Sequence, residues 1–259
     1  MVKRITPTRY PRTMEDWYAR QINQLVNSWN RSARTYFKFF LKPSVTGGQL
    51  KMDGAGDDPN WADKVQHQLE LMAFSMEAAN DNSKMTHIAT RFIKALNSFS
   101  YNNVKMQTAI VGLDPISDND LLRNFTKAKI AENVSLIKSM KSSYIQSLQK
   151  DIYRSITKGG GVQAITDAIT KRTHMAYNHA LLIANDQTGT IISQLDAYRA
   201  KSAGAEKYVW RSMEDARVRP KHRELDGKTF KYNDPAGGDN GQLPGEPIRC
   251  RCVADPIFD

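Results

Sequence analysis

Hydrophobic residues recur every three or four positions along most of the chain, which is the spacing of one face of an α-helix. The first such run begins near Thr13, which has Asp16 three residues on as a loose capping box, and it continues to Phe40. Four basic residues lie off its aromatic-rich apolar face: Arg20, Arg31, Arg34 and Lys38. We predict a basic, aromatic, amphipathic helical arm over residues 1–43. Such a stripe is typical of a helix packed on its own core, and it also fits an arm that docks on a partner or on DNA.

The helical pattern stops once and then resumes. Residues 44–60 concentrate Gly, Asp and Pro, so we predict a linker there. Helical spacing returns over residues 61–160, which we predict to be a helical region. Within it, Ser117 and Asp118 are suitable N-caps for a long helix that continues to about Thr157.

The pattern changes again near Gly204. Residues 162–203 keep the helical spacing and predict one or two helices. The segments KYVWRS and GKTFKYN that follow are short, rich in β-branched and aromatic residues, and bounded by turn residues, so we predict two or three short strands. Residues 161–259 are thus expected to form one domain of helices followed by a small β-containing tail. The predicted fold class is α+β, mainly helical in the N-terminal and central parts, with a small C-terminal α+β domain.

Positive charge is concentrated in two parts of the chain. The formal net charge is +10 over 259 residues, divided as +8 for residues 1–52, −5 for 53–120, +7 for 121–204 and 0 for 205–259. Three lysines of the central helix belong to the basic set: Lys127, Lys138 and Lys141. Basic surface of this kind attracts nucleic acid or an acidic protein face. The same charges also fit solvated helix faces.

The N-terminal residues MVKRITPTRYPRT lack the apolar segment of a secretory signal. The chain also contains no run of about 18 apolar residues, the length needed to span a membrane. We therefore expect a protein of a reducing cytoplasm that does not span a membrane.

The only two cysteines, Cys250 and Cys252, lie one residue apart near the C-terminus. A disulfide between them would close a strained ring and would constrain almost none of the unfolded chain, so we do not expect a stabilising disulfide. Thiolate and imidazole are the usual zinc ligands, and His222 lies about thirty residues upstream. A zinc site built from these three residues would need a fourth ligand, for which Asp215 and Asp226 are the candidates.

Two other interpretations fit the same residues. In a metal-free interpretation, the cysteines pack as small hydrophobic side chains while Asp215, Arg217, Arg219 and His222 form a charge-assisted hydrogen-bond network. In a catalytic interpretation, a cysteine is the nucleophile and His222 the base of a hydrolase or nuclease. A nucleophilic cysteine is usually prepared at a helix N-terminus, whereas this proline-flanked segment offers only arginines.

Three segments in order, RTHMAYNHALLIANDQTGTI, YVWRSMEDARVRPKHRELDGKTF and LPGEPIRCRCVADP, resemble the phage Mu protein F-like family of minor head and head-morphogenesis proteins of tailed bacteriophages. The resemblance covers about residues 165–256. Besides the cysteines, His222 and the two aspartates, the following residues carry it: Arg172, Trp210, Arg217, Arg219, Gly227, Pro244, Gly245 and Arg251. Arg249 is a departure, because the family commonly has Asn there.

The resemblance implies a structural protein of the virion rather than an enzyme. It implies a location in the head interior and association with the portal protein and with the major capsid or scaffolding protein. It further implies non-specific contact with packaged double-stranded DNA and, in some relatives, ejection with the genome. No organic cofactor is implied, and zinc is the one metal that the cysteines and His222 suggest.

Overall fold

The computed structural model describes residues 6–42, 61–79 and 81–258. The helices are α1 (Arg12–Tyr36), which continues into a π-helical turn (Phe37–Leu41), α2 (Trp61–Ala78), α3 (Asn82–Thr108), which continues into a 3-10 turn (Ala109–Val111), α4 (Asp120–Thr157), α5 (Val162–Ser202) and α6 (Pro220–Leu225). The strands are β1 (Lys207–Arg211), β2 (Thr229–Lys231) and β3 (Val253–Ile257). The predicted α+β class is confirmed, while the predicted linker 44–60 lies outside the described residues.

The described residues divide into two compact units that do not follow the order of the chain. The sheet unit contains the described residues up to Ala19, Thr86–Asn133, and the chain from Leu182 onward. The helical unit contains the described residues of Arg20–Met85 together with Val134–Leu181. Four helices (α1, α3, α4 and α5) each contribute residues to both units. The four consecutive segments expected from the sequence therefore do not coincide with these units.

The core of the helical unit contains the apolar stripe of α1. Ile22, Val26 and Trp29 are buried there, as the three- and four-residue spacing predicts. The Trp29 indole Nε1 donates to Asp81 Oδ2 over 3.1 Å, and Lys141 Nζ lies 3.3 Å from the same carboxylate oxygen. This part of the predicted arm is thus packed on its own core.

The sheet unit packs its part of the helices around buried aromatic rings. Tyr18 stacks on Phe92 with the ring centroids 3.8 Å apart, and its hydroxyl donates to Asn133 Oδ1 over 2.8 Å. Arg199 of α5 is also fully buried and donates to the Ile116 carbonyl, to Ser100 and to Asn97. The buried polar groups of Tyr18 and Arg199 are therefore matched to acceptors in this core.

The three strands form an antiparallel sheet in the order β2-β1-β3. Tyr208 in the middle of β1 lies opposite Phe230 on one side and Pro256 on the other. Proline is tolerated in β3 because this strand is at the edge of the sheet. The segment that forms β3 was not identified in the sequence, since its Asp-Pro pair is typical of a turn.

Three details differ from the predicted helices. The long central helix begins at Asp120, and its N-cap is Asn119, whose Oδ1 accepts from the Leu122 N–H over 2.9 Å. The stretch 162–203 is a single helix, one of the two predicted alternatives, and it ends one residue earlier, at Ser202. Phe40 is 54% exposed, because the π-helical turn changes the spacing and buries Phe37 and Leu41. In the described part of the chain, each helix is too short or too polar to cross a bilayer.

Candidate functional site

The candidate site lies in the sheet unit, where α6 and the segment that leads into β3 meet. Proline at the first position of α6 fixes the start of this short helix, and His222 projects from it into the interior. Cys250 and Cys252 precede β3 and belong to a buried cluster with Tyr208 and Trp210 of β1. The site is thus built by short elements that are held by the sheet.

His222, Cys250 and Cys252 form what we call the Cys–His cluster. The His222 Nδ1 atom lies 3.5 Å from Cys250 Sγ and 3.7 Å from Cys252 Sγ. All three side chains are at most 4% exposed, and both thiols are free. One ligand atom from each residue lies within 4.8 Å of the others, so the three can reach a single ion.

The other ring nitrogen of His222 is held by Asp239. His222 Nε2 lies 3.0 Å from Asp239 Oδ2, and Lys221 forms an ion pair with the same carboxylate. Burial acts to raise the pKa of Asp239, but the hydrogen bonds from Lys221 and His222 outweigh it and leave this pKa lowered. Because an ionised carboxylate can only accept, Nε2 donates to Asp239, and Nδ1 is the ring nitrogen that faces the two sulfurs.

The two thiols differ in acidity because they interact with each other. The hydrogen bond from the Cys252 thiol lowers the pKa of Cys250, and the nearby His222 acts in the same direction. The same hydrogen bond to Cys250, together with burial, raises the pKa of Cys252. Loss of the proton from one thiol therefore disfavours its loss from the other.

The loop that carries the cysteines is docked on the backbone of α5. A Cβ atom added to Gly189 would lie 2.5 Å from the Gly245 carbonyl oxygen and 2.7 Å from the Cys250 carbonyl oxygen. Gly245 has a φ of +100°, which glycine adopts without strain. Asp186 Oδ1 accepts from the Arg249 N–H over 2.6 Å, and Gln194 donates to Glu246 Oε1 over 3.1 Å. These contacts fix the position of the cysteines relative to α5.

Residues 146–255 match the family described as phage Mu protein F like protein. We call these residues the Mu F-like domain because of this similarity. The resemblance seen in the sequence is confirmed.

An uncharacterized protein of Haemophilus influenzae (strain ATCC 51907 / DSM 11121 / KW20 / Rd) is 27% identical to the chain over 263 residues. The alignment covers 99% of this chain and 56% of that protein, so the chain spans about half the length of the curated relative it matches. No solved structure matches the chain with statistical significance.

In the Mu F-like domain, the two aspartates offered by the sequence as a fourth ligand lie outside the Cys–His cluster. Asp215 Oδ2 accepts from Arg251 Nη2 over 2.5 Å, and Asp226 Oδ1 accepts from the Ser212 N–H over 2.7 Å. Asp239, which the sequence analysis did not name, is the carboxylate that contacts His222. Its only signal was its place in the glycine- and proline-rich segment between the second strand and the cysteines.

Most of the remaining motif residues support the backbone around the cluster. Gly227 has a φ of +76°, and its N–H donates to the Trp210 carbonyl over 2.9 Å. Arg219 donates to the carbonyl of Ile248, while Pro244 and Gly245 are buried. The Arg217 N–H donates to Asp215 over 3.0 Å. These positions of the Mu F-like domain shape the loop that carries the sulfurs.

Arg172 is a motif residue of the helical unit. Its guanidinium Nε donates to Asp151 over 2.5 Å, and the pKa of that carboxyl is lowered by this hydrogen bond. Arg172 therefore joins α5 to α4 within its own unit.

A small cavity adjoins the Cys–His cluster. Its volume is about 20 Å³, and its lining includes the three cluster residues. Four arginines complete most of its wall: Arg217, Arg219, Arg249 and Arg251. The cavity is thus strongly electropositive and large enough for one water-sized ligand.

The basic residues expected to bind DNA or a partner fall into two groups. Six are exposed and make no ion pair with another residue in the described ranges: Arg20, Arg31, Arg34, Lys38, Lys127 and Lys138. Lys141 is a correction to that set, because it is 5% exposed and its ammonium group donates to the Ala79 carbonyl and pairs with Asp81. Lys141 therefore belongs to the core of the helical unit and presents no charge to a partner.

Proposed function

We propose that the protein is a non-enzymatic component of the phage head that acts in head morphogenesis and is enclosed in the head interior. The observation that carries this proposal is the match of residues 146–255 to the phage Mu protein F like family. Its partners are the portal protein and the major capsid or scaffolding protein, met in the host cytoplasm during assembly. It contacts packaged DNA without sequence preference.

The burial of the Cys–His cluster supports a structural rather than a hydrolytic role. Both thiols are at most 4% exposed, and the adjoining cavity of about 20 Å³ is far below the several hundred Å³ of typical substrate pockets. Incubation with DNA, RNA and divalent metals should leave these substrates intact, and their cleavage by the chain but not by a His222→Ala variant would support the hydrolase or nuclease interpretation instead.

The charge of the helical unit supports contact with DNA. Its described residues include fourteen Lys and Arg against six Asp and Glu, a net charge of +8. Exposed basic groups without an acidic partner can neutralise phosphates and release counterions, which requires no base-specific contact.

The location is tested with virions of the phage or prophage that encodes the chain. Mass spectrometry of purified, DNA-filled particles should detect the protein, and protease treatment of intact particles should leave it undegraded because the shell encloses it. Absence of the protein from filled particles, or its loss under protease while capsid protein stays intact, would contradict the proposal.

The DNA contact is tested with two triple variants of equal charge. One replaces the unpaired Arg20, Arg31 and Lys38 by alanine. The other replaces Lys105, Arg123 and Lys129, which pair with Asp114, with Asp118 and Asp120, and with Glu132.

Binding to mixed-sequence DNA should weaken steeply with salt. The first variant should lower the slope of log affinity against log salt by up to about 3, at roughly 0.9 per phosphate contact. The second variant should change this slope much less. Equal losses in both variants would show that only net charge matters, and no binding at low salt would remove DNA from the proposed partners.

A further inference from the structure

We propose that the Cys–His cluster is a zinc site in which His222 Nδ1, Cys250 Sγ and Cys252 Sγ hold one ion, with a water molecule as the fourth ligand. The inference goes beyond the proposed role in the head, because it concerns the chemistry of the domain wherever the protein is located. It is carried by four observations on distances, hydrogen bonds and burial.

The distances between the ligand atoms fit a tetrahedral zinc ion. With Zn–S bonds of about 2.3 Å and Zn–N bonds of about 2.0–2.1 Å, tetrahedral angles place sulfur and nitrogen about 3.6 Å apart. The observed separations between His222 Nδ1 and the two sulfurs are 3.5 Å and 3.7 Å. The side chains are therefore already arranged as ligands of one ion.

The outer side of His222 has the partner that zinc-bound histidines usually have. A histidine ligand commonly donates its second ring N–H to a carboxylate, which fixes the tautomer and makes the ligating nitrogen more basic. Asp239 occupies this position 3.0 Å from Nε2 and is itself held by Lys221. A histidine buried only for packing would not require the opposite nitrogen to face two sulfurs.

Trp210 supplies an independent indication. Its side chain is fully buried, its indole N–H has no nitrogen or oxygen acceptor among the described residues, and it interacts with the Cys252 sulfur. Buried donors of this kind are rare, because each costs free energy. Trp210 packs in the same cluster as Cys252. A metal-bound thiolate keeps lone pairs that can accept a hydrogen bond, so zinc at the cluster gives this donor a charged acceptor.

The fourth coordination position of the zinc ion is left to a small ligand. Among the described residues, the group that can share one ion contains three ligands and no carboxylate. The adjoining cavity of about 20 Å³ has room for one water molecule. Zinc and two thiolates are together neutral, and the surrounding arginines then favour a fourth ligand with anionic character, as a water polarised by zinc has.

The test begins with the unmodified, full-length chain purified without an affinity tag. Metal analysis should find about one zinc per chain, as expected for a site of this type. Replacement of zinc by Co²⁺ should produce the thiolate-to-cobalt charge-transfer absorption, which reports sulfur ligands directly. A strong chelator should lower the melting temperature, because an ion bound to the native state stabilises it.

Three variants separate ligation from general damage. Cys252→Ser should abolish the charge-transfer absorption, and Asp239→Asn should weaken Co²⁺ binding about 10- to 100-fold while keeping the absorption. His179→Ala is the matched control, since His179 is an exposed histidine of α5 outside the cluster, and it should bind like the unmodified chain.

Two results would overturn the proposal. One is a metal content near zero together with no charge-transfer absorption when Co²⁺ is added to the folded, unmodified chain. The other is a purified chain whose mass is lower by two hydrogens and whose thiols resist alkylation, which would show a Cys250–Cys252 disulfide. Both measurements use the unmodified chain, so a misfolded variant cannot decide the outcome, and neither depends on whether the protein is found in the head.

Discussion

Replacing Gly189 by alanine should destabilise the protein, although alanine has the higher helix propensity. Gly189 lies within α5, where a glycine costs about 1 kcal/mol relative to alanine. In an unobstructed helix, the substitution would therefore raise the free energy of unfolding by about that amount. Here the added methyl group would point at the loop that carries the cysteines.

The magnitude follows from two contacts. The new Cβ would lie 2.5 Å from the Gly245 carbonyl oxygen and 2.7 Å from the Cys250 carbonyl oxygen. Ordinary carbon–oxygen contacts are about 3.3 Å or longer, so the loop backbone must retreat by several tenths of an ångström. Overpacking typically costs about 1–3 kcal/mol, and backbone yields less easily than side chains. We therefore take the upper end of that range, about 3 kcal/mol, and after subtracting the helix gain of about 1 kcal/mol we expect a net loss of about 2 kcal/mol.

The assay combines urea unfolding with thiol labelling under native conditions. The loss of about 2 kcal/mol should lower the melting temperature by roughly 4–8 °C for a chain of this size. Because the retreat moves Cys250, labelling of the two buried thiols should also become faster. Gly161→Ala is the control, since a Cβ there meets nothing within 4 Å and φ is ordinary.

A Gly189→Ala variant that is as stable as the Gly161→Ala variant, and whose thiols are labelled at the rate of the unmodified chain, would contradict this prediction. That outcome would mean that the loop has a second position of equal energy against α5. Faster labelling without loss of stability would show that only the loop, and not the core of the sheet unit, depends on this contact.

Three further predictions concern single side chains. Lys141→Ala should lower the free energy of unfolding by about 3–5 kcal/mol in urea titrations, because Asp81 loses its buried partner, whereas the exposed Lys138→Ala should change it by less than about 0.5 kcal/mol. Burial raises the pKa of Asp196 to about 7, so the native state holds a proton that the unfolded chain releases near pH 4. The free energy of unfolding should therefore fall as pH rises from about 4 to 7, by up to about 1.4 kcal/mol per pH unit. Asp196→Asn should remove this slope in urea titrations repeated across that range. Arg249 has a φ of +57°, so Arg249→Asn should raise the melting temperature by relieving about 1 kcal/mol of strain, and a lowered melting temperature would contradict this.

Periodicity predicted what depends on local sequence. The apolar stripe from Ile22 to Phe37 reads as one helix face in the sequence, and its positions are buried except for the half-buried Tyr36. The break before Asn82 and the glycines at 159–161 separate helices as expected, because helix ends are encoded by nearby residues. Periodicity could not predict which charged residues on the polar face of a helix would be buried. Lys141 lies off the apolar stripe by spacing, and only the approach of Asp81 from another helix encloses it.

The site was predictable in its chemistry but not in its partners. Cysteine and histidine are rare in this chain, and both cysteines lie about thirty residues after His222. The sequence therefore pointed to one cluster of these three residues. Asp215 and Asp226, the carboxylates named from the sequence, lie nearer to His222 along the chain, but they accept from Arg251 and from the Ser212 N–H. Asp239 contacts the His222 ring because of the path of a glycine-rich loop. The local sequence of such a loop does not indicate where its side chains point.

The segments that carry the Mu F-like resemblance divide into two kinds of position. Gly189, Gly227 and Gly245 permit close approach or a left-handed backbone, and they fix the path of the chain whatever the cluster binds. His222 and the two cysteines have no such backbone role and are replaceable by apolar side chains of similar volume if they only pack. A protein that needed only a rigid loop could therefore keep the glycines and vary the cluster. The separations between His222 and the two sulfurs and the contact of His222 with Asp239 concern the cluster alone, and the proposed ion accounts for them.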